Sequence, residues 1–221
     1  MRIVAVVPMK LVNRRLPQKN TRPFTNGKPL CQYILSTLLE IGRIEQVYVY
    51  CSNPEICRFL PEGIIFLQRP DTLDQDSTRM NEVLQSFAER VPADVYVMTH
   101  TTAPFIAKES IERGLEAVLS GGYDSAFAVE RMQDFIWKSG KPFNYELDHI
   151  PRTQDIEPLF KETSGFYIYR SELMRNAGQR IGQSPYMVEV SGIEGIDIDE
   201  KEDFLIADAV FNYMLRQQAF G

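Results

Sequence analysis

The 221-residue chain reads as an α/β protein: a mostly parallel sheet covered by helices on both faces. Three observations predict this. Short β-branched and aromatic runs (IVAVV, QVYVYC, DVYVM) lack the apolar–polar alternation of a sheet with one wet face, so their strands are buried on both sides. Helix-period segments follow them, so neighbouring strands run parallel through right-handed crossovers. Polar loops follow the strands, where open parallel sheets bind their ligands.

Ile3–Val7 is the first expected strand. The loop Pro8–Lys28 comes next, stiffened by Pro17 and Pro23. Leu30–Ile41 repeats Tyr33, Ile34, Leu38 and Ile41 at helical spacing, with Pro29 suited to the first turn and Gly42 to the stop. Gln46–Cys51 is the second strand, a short helix spans Pro54–Leu60, and Ile64–Leu67 is the third strand. In the loop Arg69–Thr78, Asp76, Ser77 or Thr78 can cap the helix Met80–Arg90. Asp94–Met98 is the fourth strand, running into Thr99–Phe105. The helix Lys108–Leu119 closes at Gly121-Gly122, and Asp124–Val129 is again strand. Met132–Pro158, with Trp137, Gly140, Pro142 and Pro151, reads as an irregular excursion or small β subdomain, its tryptophan in a core or an interface. Gly165–Tyr169, the short helix Ser171–Asn176 and the strand Tyr186–Val190 follow. The acidic turn Asp197-Ile198-Asp199 leads into a helix from about Glu200, with Phe204, Ala207, Val210, Phe211 and Met214 on one face. There is no internal repeat or low-complexity segment, so one domain is expected over 1–221.

Hydrophobic residues make up 44% of the chain, enough for a sizeable core. The net charge of −6 argues against general nucleic-acid binding. No run of about 18 apolar residues suggests a membrane span, and the apolar start is too short for an export signal. Cys31, Cys51 and Cys57 lack CxxC spacing and are expected as reduced thiols in the cytoplasm.

Charge is unevenly placed. The first 39 residues hold Arg2, Lys10, Arg14, Arg15, Lys19, Arg22 and Lys28 and no acid, a local +7, so the rest sums to −13. A cationic loop between a first strand and a first helix is either a solvated surface or an anion site, and the position favours phosphate. Cations, hydroxyls and paired carboxylates at one end of a sheet match a nucleoside triphosphate held with Mg²⁺. Lys19 and Arg15 are candidate phosphate ligands. Asp197 and Asp199, two apart, point the same way in extended backbone and can share an ion; equally, they can serve as helix caps. His100 is either a hydrogen-bonded loop histidine or a catalytic group. Walker A and GxGxxG sequences are absent, which excludes P-loop NTPases and Rossmann dehydrogenases.

Six segments in order carry a resemblance. They are Pro17-Gln18-Lys19-Asn20 … Arg22-Pro23 with Gly27-Lys28-Pro29-Leu30; Arg69-Pro70 … Leu73 … Asp76-Ser77; Thr101-Thr102-Ala103-Pro104-Phe105; Asp124-Ser125-Ala126-Phe127-Ala128-Val129; Arg152 … Gln154-Asp155 with Gly165-Phe166-Tyr167-Ile168-Tyr169; and Asp197-Ile198-Asp199 … Asp203. Together they resemble the CMP-sialic acid synthetases (acylneuraminate cytidylyltransferases), related to the CMP-Kdo synthetases. The likeness departs at the first loop, where the usual Ala-Arg-x-x-Ser is represented by Met9, Lys10 and Asn13, and at His100, where the family has glutamine.

The resemblance implies a three-layer α/β/α Rossmann-like nucleotidyltransferase domain and a homodimer formed through an excursion at 130–165. It implies CTP and a 2-keto sugar acid as substrates, a CMP-sugar and pyrophosphate as products, and Mg²⁺ on Asp197 and Asp199. Lys10, Asn13, Arg15 and Lys19 are then expected on the nucleotide phosphates, and Asn20, Arg69 and Ser77 on base and ribose. His100 and Thr101 are expected on the sugar, with Arg152 on its carboxylate in the neighbouring subunit. Lys10, Lys19 and Asp199 are the expected catalytic groups. Two other readings remain: a metal-dependent glycosyltransferase, which also pairs a nucleotide with DxD, and a nucleotide-binding relative without catalysis.

Overall fold

The structure, a computed structural model, describes residues 1–220. In chain order the elements are β1 (Ile3–Pro8), α1 (Cys31–Leu39), β2 (Gln46–Cys51), β3 (Ile64–Gln68), α2 (Met80–Arg90), β4 (Val95–Thr99), α3 (Lys108–Leu119), β5 (Ser125–Met132), β6 (Trp137–Lys138), β7 (Lys141–Pro142), β8 (Leu159–Arg170), α4 (Ser171–Ala177), β9 (Pro185–Val190) and α5 (Lys201–Phe220).

Seven strands form one sheet in the order β3-β2-β1-β4-β8-β5-β9. All neighbours are parallel except β8, which runs antiparallel between β4 and β5. The strand period of two divides the side chains between two cores. Ile3, Ala5 and Val7 pack with α1 and α3, while Val4 and Val6 pack with α2 and α4. Every one of these five is buried, which is why the runs show no polar alternation. Gly114 lets α3 lie close on the sheet, because a Cβ there would meet Ile168 at 2.8 Å.

A third apolar cluster sits at the carboxyl end of the sheet. Leu16, Phe24, Leu30, Tyr33, Ile198, Phe204 and Ala207 join the first loop to α5. Phe24 lies 5.0 Å from both Tyr33 and Phe204, ring centre to ring centre. Asp208 of α5 accepts a hydrogen bond of 2.8 Å from the Thr25 amide.

Three expectations change. β8 spans Leu159–Arg170, well beyond 165–169, and β5 reaches Met132, so the excursion narrows to 133–158. The longer strands arise because the β5–β8 ladder crosses a bulge between Phe127 and Val129 and then continues. The cap of α2 is Arg79, whose amide donates to the Glu82 carboxylate at 2.6 Å; Asp76, Ser77 and Thr78 lie before it. Trp137 is 56% exposed, which excludes it from the core.

Candidate active site

Beyond the carboxyl ends of the parallel strands lies a cleft with two adjoining arms. The larger, of about 610 Å³, is lined by Lys10, Asn13, Arg14, Arg15, Lys19, Asp76, Met80, His100, Ser164, Asp197 and Asp199, among others. The smaller, of about 200 Å³, adds Asn20, Arg69, Thr78 and Thr101. Lys10, Asn13, Lys19, Met80, His100 and Thr102 border both arms.

The acidic wall is built on Ile198. Its side chain is buried in the third apolar cluster, so Asp197 and Asp199 on either side turn to the cleft. Its amide donates to the Thr102 carbonyl at 2.8 Å, and its carbonyl accepts from Lys19 Nζ at 2.8 Å. Asp199 Oδ1 receives Arg15 Nη2 at 2.8 Å and Lys19 Nζ at 3.2 Å. Asp197 Oδ1 is buried without a partner. Asp203 accepts from the amides of Glu200 (2.7 Å) and Asp199 (2.9 Å), and those bonds hold its carboxyl below the usual range. It caps α5, while the cleft is faced by Asp197 and Asp199.

The cationic wall is held from behind. Gln18 adopts the left-handed conformation, φ 57°, and turns the chain into a single 3-10 turn, Lys19–Thr21. The Asn20 amide donates to the Lys10 carbonyl at 2.8 Å, and its oxygen accepts from the Thr101 hydroxyl at 2.7 Å. Asn20 is thus a strut between two loops. Thr101, expected at the sugar, borders the smaller arm, its hydroxyl donating to Asn20. At the rim, Asp76 pairs with Arg14 Nη1 at 2.6 Å and lies 3.8 Å from Lys10 Nζ.

Arg69 is 4% exposed and pairs with Asp74, while its Nε is buried and unpartnered in the wall of the smaller arm. Ser77 is exposed and outside both arms; Thr78 lines the wall in its place. Removal from water pushes the His100 imidazole down to about 4; Asp197 opposes this, and Arg180 and Lys19 add to it. His100 is therefore neutral near pH 7. Arg152 is not brought to the cleft of its own chain: its guanidinium closes on Asp155 at 2.7 and 3.0 Å, and it is exposed. Sequence reasoning missed Arg14, Thr78, Thr102 and Ser164. Arg14 was legible in the basic run, whereas Ser164 needed the antiparallel placement of β8.

A family model described as cytidylyltransferase matches residues 4–206. The chain is 25% identical over 216 residues to N-acylneuraminate cytidylyltransferase A of Danio rerio, covering 93% of this chain and 50% of the relative. It thus spans about half the length of that relative. It is 27% identical over 233 residues to CMP-N,N'-diacetyllegionaminic acid synthase of Legionella pneumophila, covering 99% of each. A solved structure of CMP:2-keto-3-deoxy-manno-octonic acid synthetase complexed with CTP superposes with a TM-score of 0.70 at 19% identity, over 97% of this chain and 100% of that one. That likeness shows the shared fold.

Proposed function

The chain belongs to the cytidylyltransferase family, and from that premise we propose that it activates a 2-keto sugar acid with CTP, giving a CMP-sugar and pyrophosphate. The observation that carries this reading is the cleft, which sets four cations, Lys10, Arg14, Arg15 and Lys19, against the carboxylates of Asp197 and Asp199. The anomeric oxygen of the sugar attacks the α-phosphorus in line. The new P–O bond forms as the bond from the α-phosphorus to the bridging oxygen breaks, and pyrophosphate leaves with that oxygen. The sugar hydroxyl passes its proton to neutral His100, whose protonated form burial disfavours and the Asp197 carboxylate favours. Lys10, Arg15 and Lys19 neutralise the triphosphate and the charge that grows on pyrophosphate, and Asn13 borders both arms beside them.

The residues present fit Mg²⁺. Asp197 offers a buried oxygen without a partner, Asp199 lines the same arm, and a hard cation takes oxygen ligands from carboxylate, phosphate and water. In this reading Asp197 and Asp199 hold the ion, which when bound lowers the cost of charge on the α-phosphate. Arg15 and Lys19, now on Asp199, would turn to the phosphates.

The cytidine is assigned to the smaller arm beside Arg69 and Asn20, and the sugar to the larger arm beside His100. A homodimer belongs to the same reading. Phe135, Trp137, Phe143, Leu147 and Ile150 in the excursion are each at least 40% exposed, an apolar surface suited to a second copy. A cytoplasmic setting fits three free cysteines. No helix among the described residues is long and apolar enough to cross a membrane.

Pyrophosphate release across four nucleoside triphosphates and a panel of sugar acids tests the reading. The expected result is release with CTP and at least one 2-keto sugar acid. CTP binding without release would favour the non-catalytic relative, and transfer from a sugar nucleotide would favour the glycosyltransferase.

A further inference from the structure

Arg180 lies in the strap between α4 and β9. Gly178 ends α4 with φ 61°. The strap is pinned beyond Arg180: Asp124 accepts from the amides of Gln183 (2.8 Å) and Ser184 (2.9 Å), and Ser125 accepts from Gly182 at 2.9 Å. A Cβ on Gly182 would run into the Asp124 carboxylate, so this attachment depends on glycine. The backbone that carries Arg180 is therefore tied to the start of β5.

The guanidinium lies over the Tyr167 ring, 4.3 Å from its centre, and Nη1 donates to Asn81 Oδ1 at 3.1 Å. Its Nε is buried without a partner. No carboxylate among the described residues pairs with it; Glu162 on the same strand as Tyr167 is taken by the Tyr167 hydroxyl. Asn81 follows Met80, and Tyr167 lies three residues from Ser164; Met80, Ser164 and His100 all line the larger arm. Arg180 thus stands behind that wall, close enough for its charge to act on His100. Arg180 is partly exposed, so water screens part of its charge, and its buried Nε is the donor left for an anion to meet. By contrast, Arg152 already has a two-pronged partner in Asp155.

We infer that Arg180 is the specificity-determining residue that receives the carboxylate of the sugar acid in the larger arm. This rests on the proposed cytidylyltransferase reading. A planar fork takes a carboxylate by parallel hydrogen bonds, and the Tyr167 ring holds the fork in one orientation. Met80 is a flexible side chain that can yield as the carboxylate arrives.

The test is steady-state pyrophosphate release with CTP and each of N-acetylneuraminate, N,N'-diacetyllegionaminate and 2-keto-3-deoxy-manno-octonate, and with the C1 amide of each acid that turns over. In the unaltered enzyme the amide should raise KM by roughly 10-fold or more. Arg180→Ala should raise KM for the acid by about the same factor and bring acid and amide within about twofold, leaving CTP binding unchanged. Should Arg180→Ala lose CTP binding, Arg180→Lys takes its place, since it keeps the charge and loses the fork. Its acid-to-amide ratio should fall by roughly threefold or more. An undiminished ratio in the variant that binds CTP overturns the inference, as does Arg152→Ala erasing the ratio instead. If the unaltered protein releases no pyrophosphate with any acid, the functional reading fails first and the role of Arg180 falls with it.

Discussion

The cleft loops and the excursion at 133–158 are both poor in regular structure, yet they are held in opposite ways. The cleft loops carry charge and are fastened by buried groups. Ile198 is sealed under Phe204, Asn20 bridges Lys10 to Thr101, and Lys19 donates to a buried carbonyl. The excursion carries apolar side chains and leaves them outside. Its own order comes from a two-residue hairpin and from Asn144, which accepts from the Ile136 amide and donates to the Asp134 carbonyl. Phe135 packs on Tyr145, with ring centres 4.8 Å apart, yet Phe135 stays 40% exposed. Charge thus marks a preorganised site, and hydrophobicity marks a surface. The usual expectation, apolar inside and charged outside, is weakened in both regions: Lys19 is buried in one, and Trp137 is exposed in the other.

The acidic turn is the most sensitive point of the cleft. Asp199→Asn should lower kcat/KM by roughly 10²-fold or more, because in the proposed reading it removes a carboxylate that would hold Mg²⁺, and it removes the shared partner of Arg15 and Lys19. The fold should persist, read by circular dichroism. Wild-type rates at limiting Mg²⁺ would remove Asp199 from metal binding and leave it as the partner of Arg15 and Lys19.

Next comes the cluster that supports that turn. Phe204→Ala leaves a hole between Phe24 and Ile198 and should cost about 3 kcal/mol in chemical unfolding. Because one cluster carries both loops, KM for CTP should rise with it. A stability loss with intact KM would show that the loops are positioned independently.

A pH series sharpens the contrast within the cleft. His100 is depressed to about 4 in the fold and titrates near 6.5 when unfolded. The unfolded chain therefore binds the extra proton between those values, and folding stability should decline as pH falls from about 6.5 to 4. Full development of that window is worth about 3 kcal/mol, and about 2 at pH 5. His100→Gln should flatten the decline in metal-free protein; an unchanged slope would assign it to other groups.

The smallest expected stability change is in the excursion. Trp137→Ala should alter unfolding of the monomer by about 0.5 kcal/mol or less. If the proposed homodimer forms through the excursion, the same variant should move toward monomer in sedimentation, and an unaltered profile would remove Trp137 from that proposed interface.

The layers are legible in the amino-acid sequence alone, because a buried parallel strand shows its burial as an unbroken run of β-branched and aromatic residues. Ile3–Val7, Gln46–Cys51 and Asp94–Met98 are such runs, each within about one residue of its strand. The sequence also located the charged loops, since seven cations without an acid are visible to simple counting. Pairing was decided only in three dimensions. That β8 enters between β4 and β5 against the direction of its neighbours depends on contacts far apart in the chain, and no local pattern states it. The same holds for individual side chains. Arg152 and Arg180 are both single arginines in polar segments, but one closes on an aspartate three residues away and the other is held over Tyr167 with a donor unmet. Residue type gives an arginine its charge, whereas its partners, and so what it can still bind, follow from what folding places beside it.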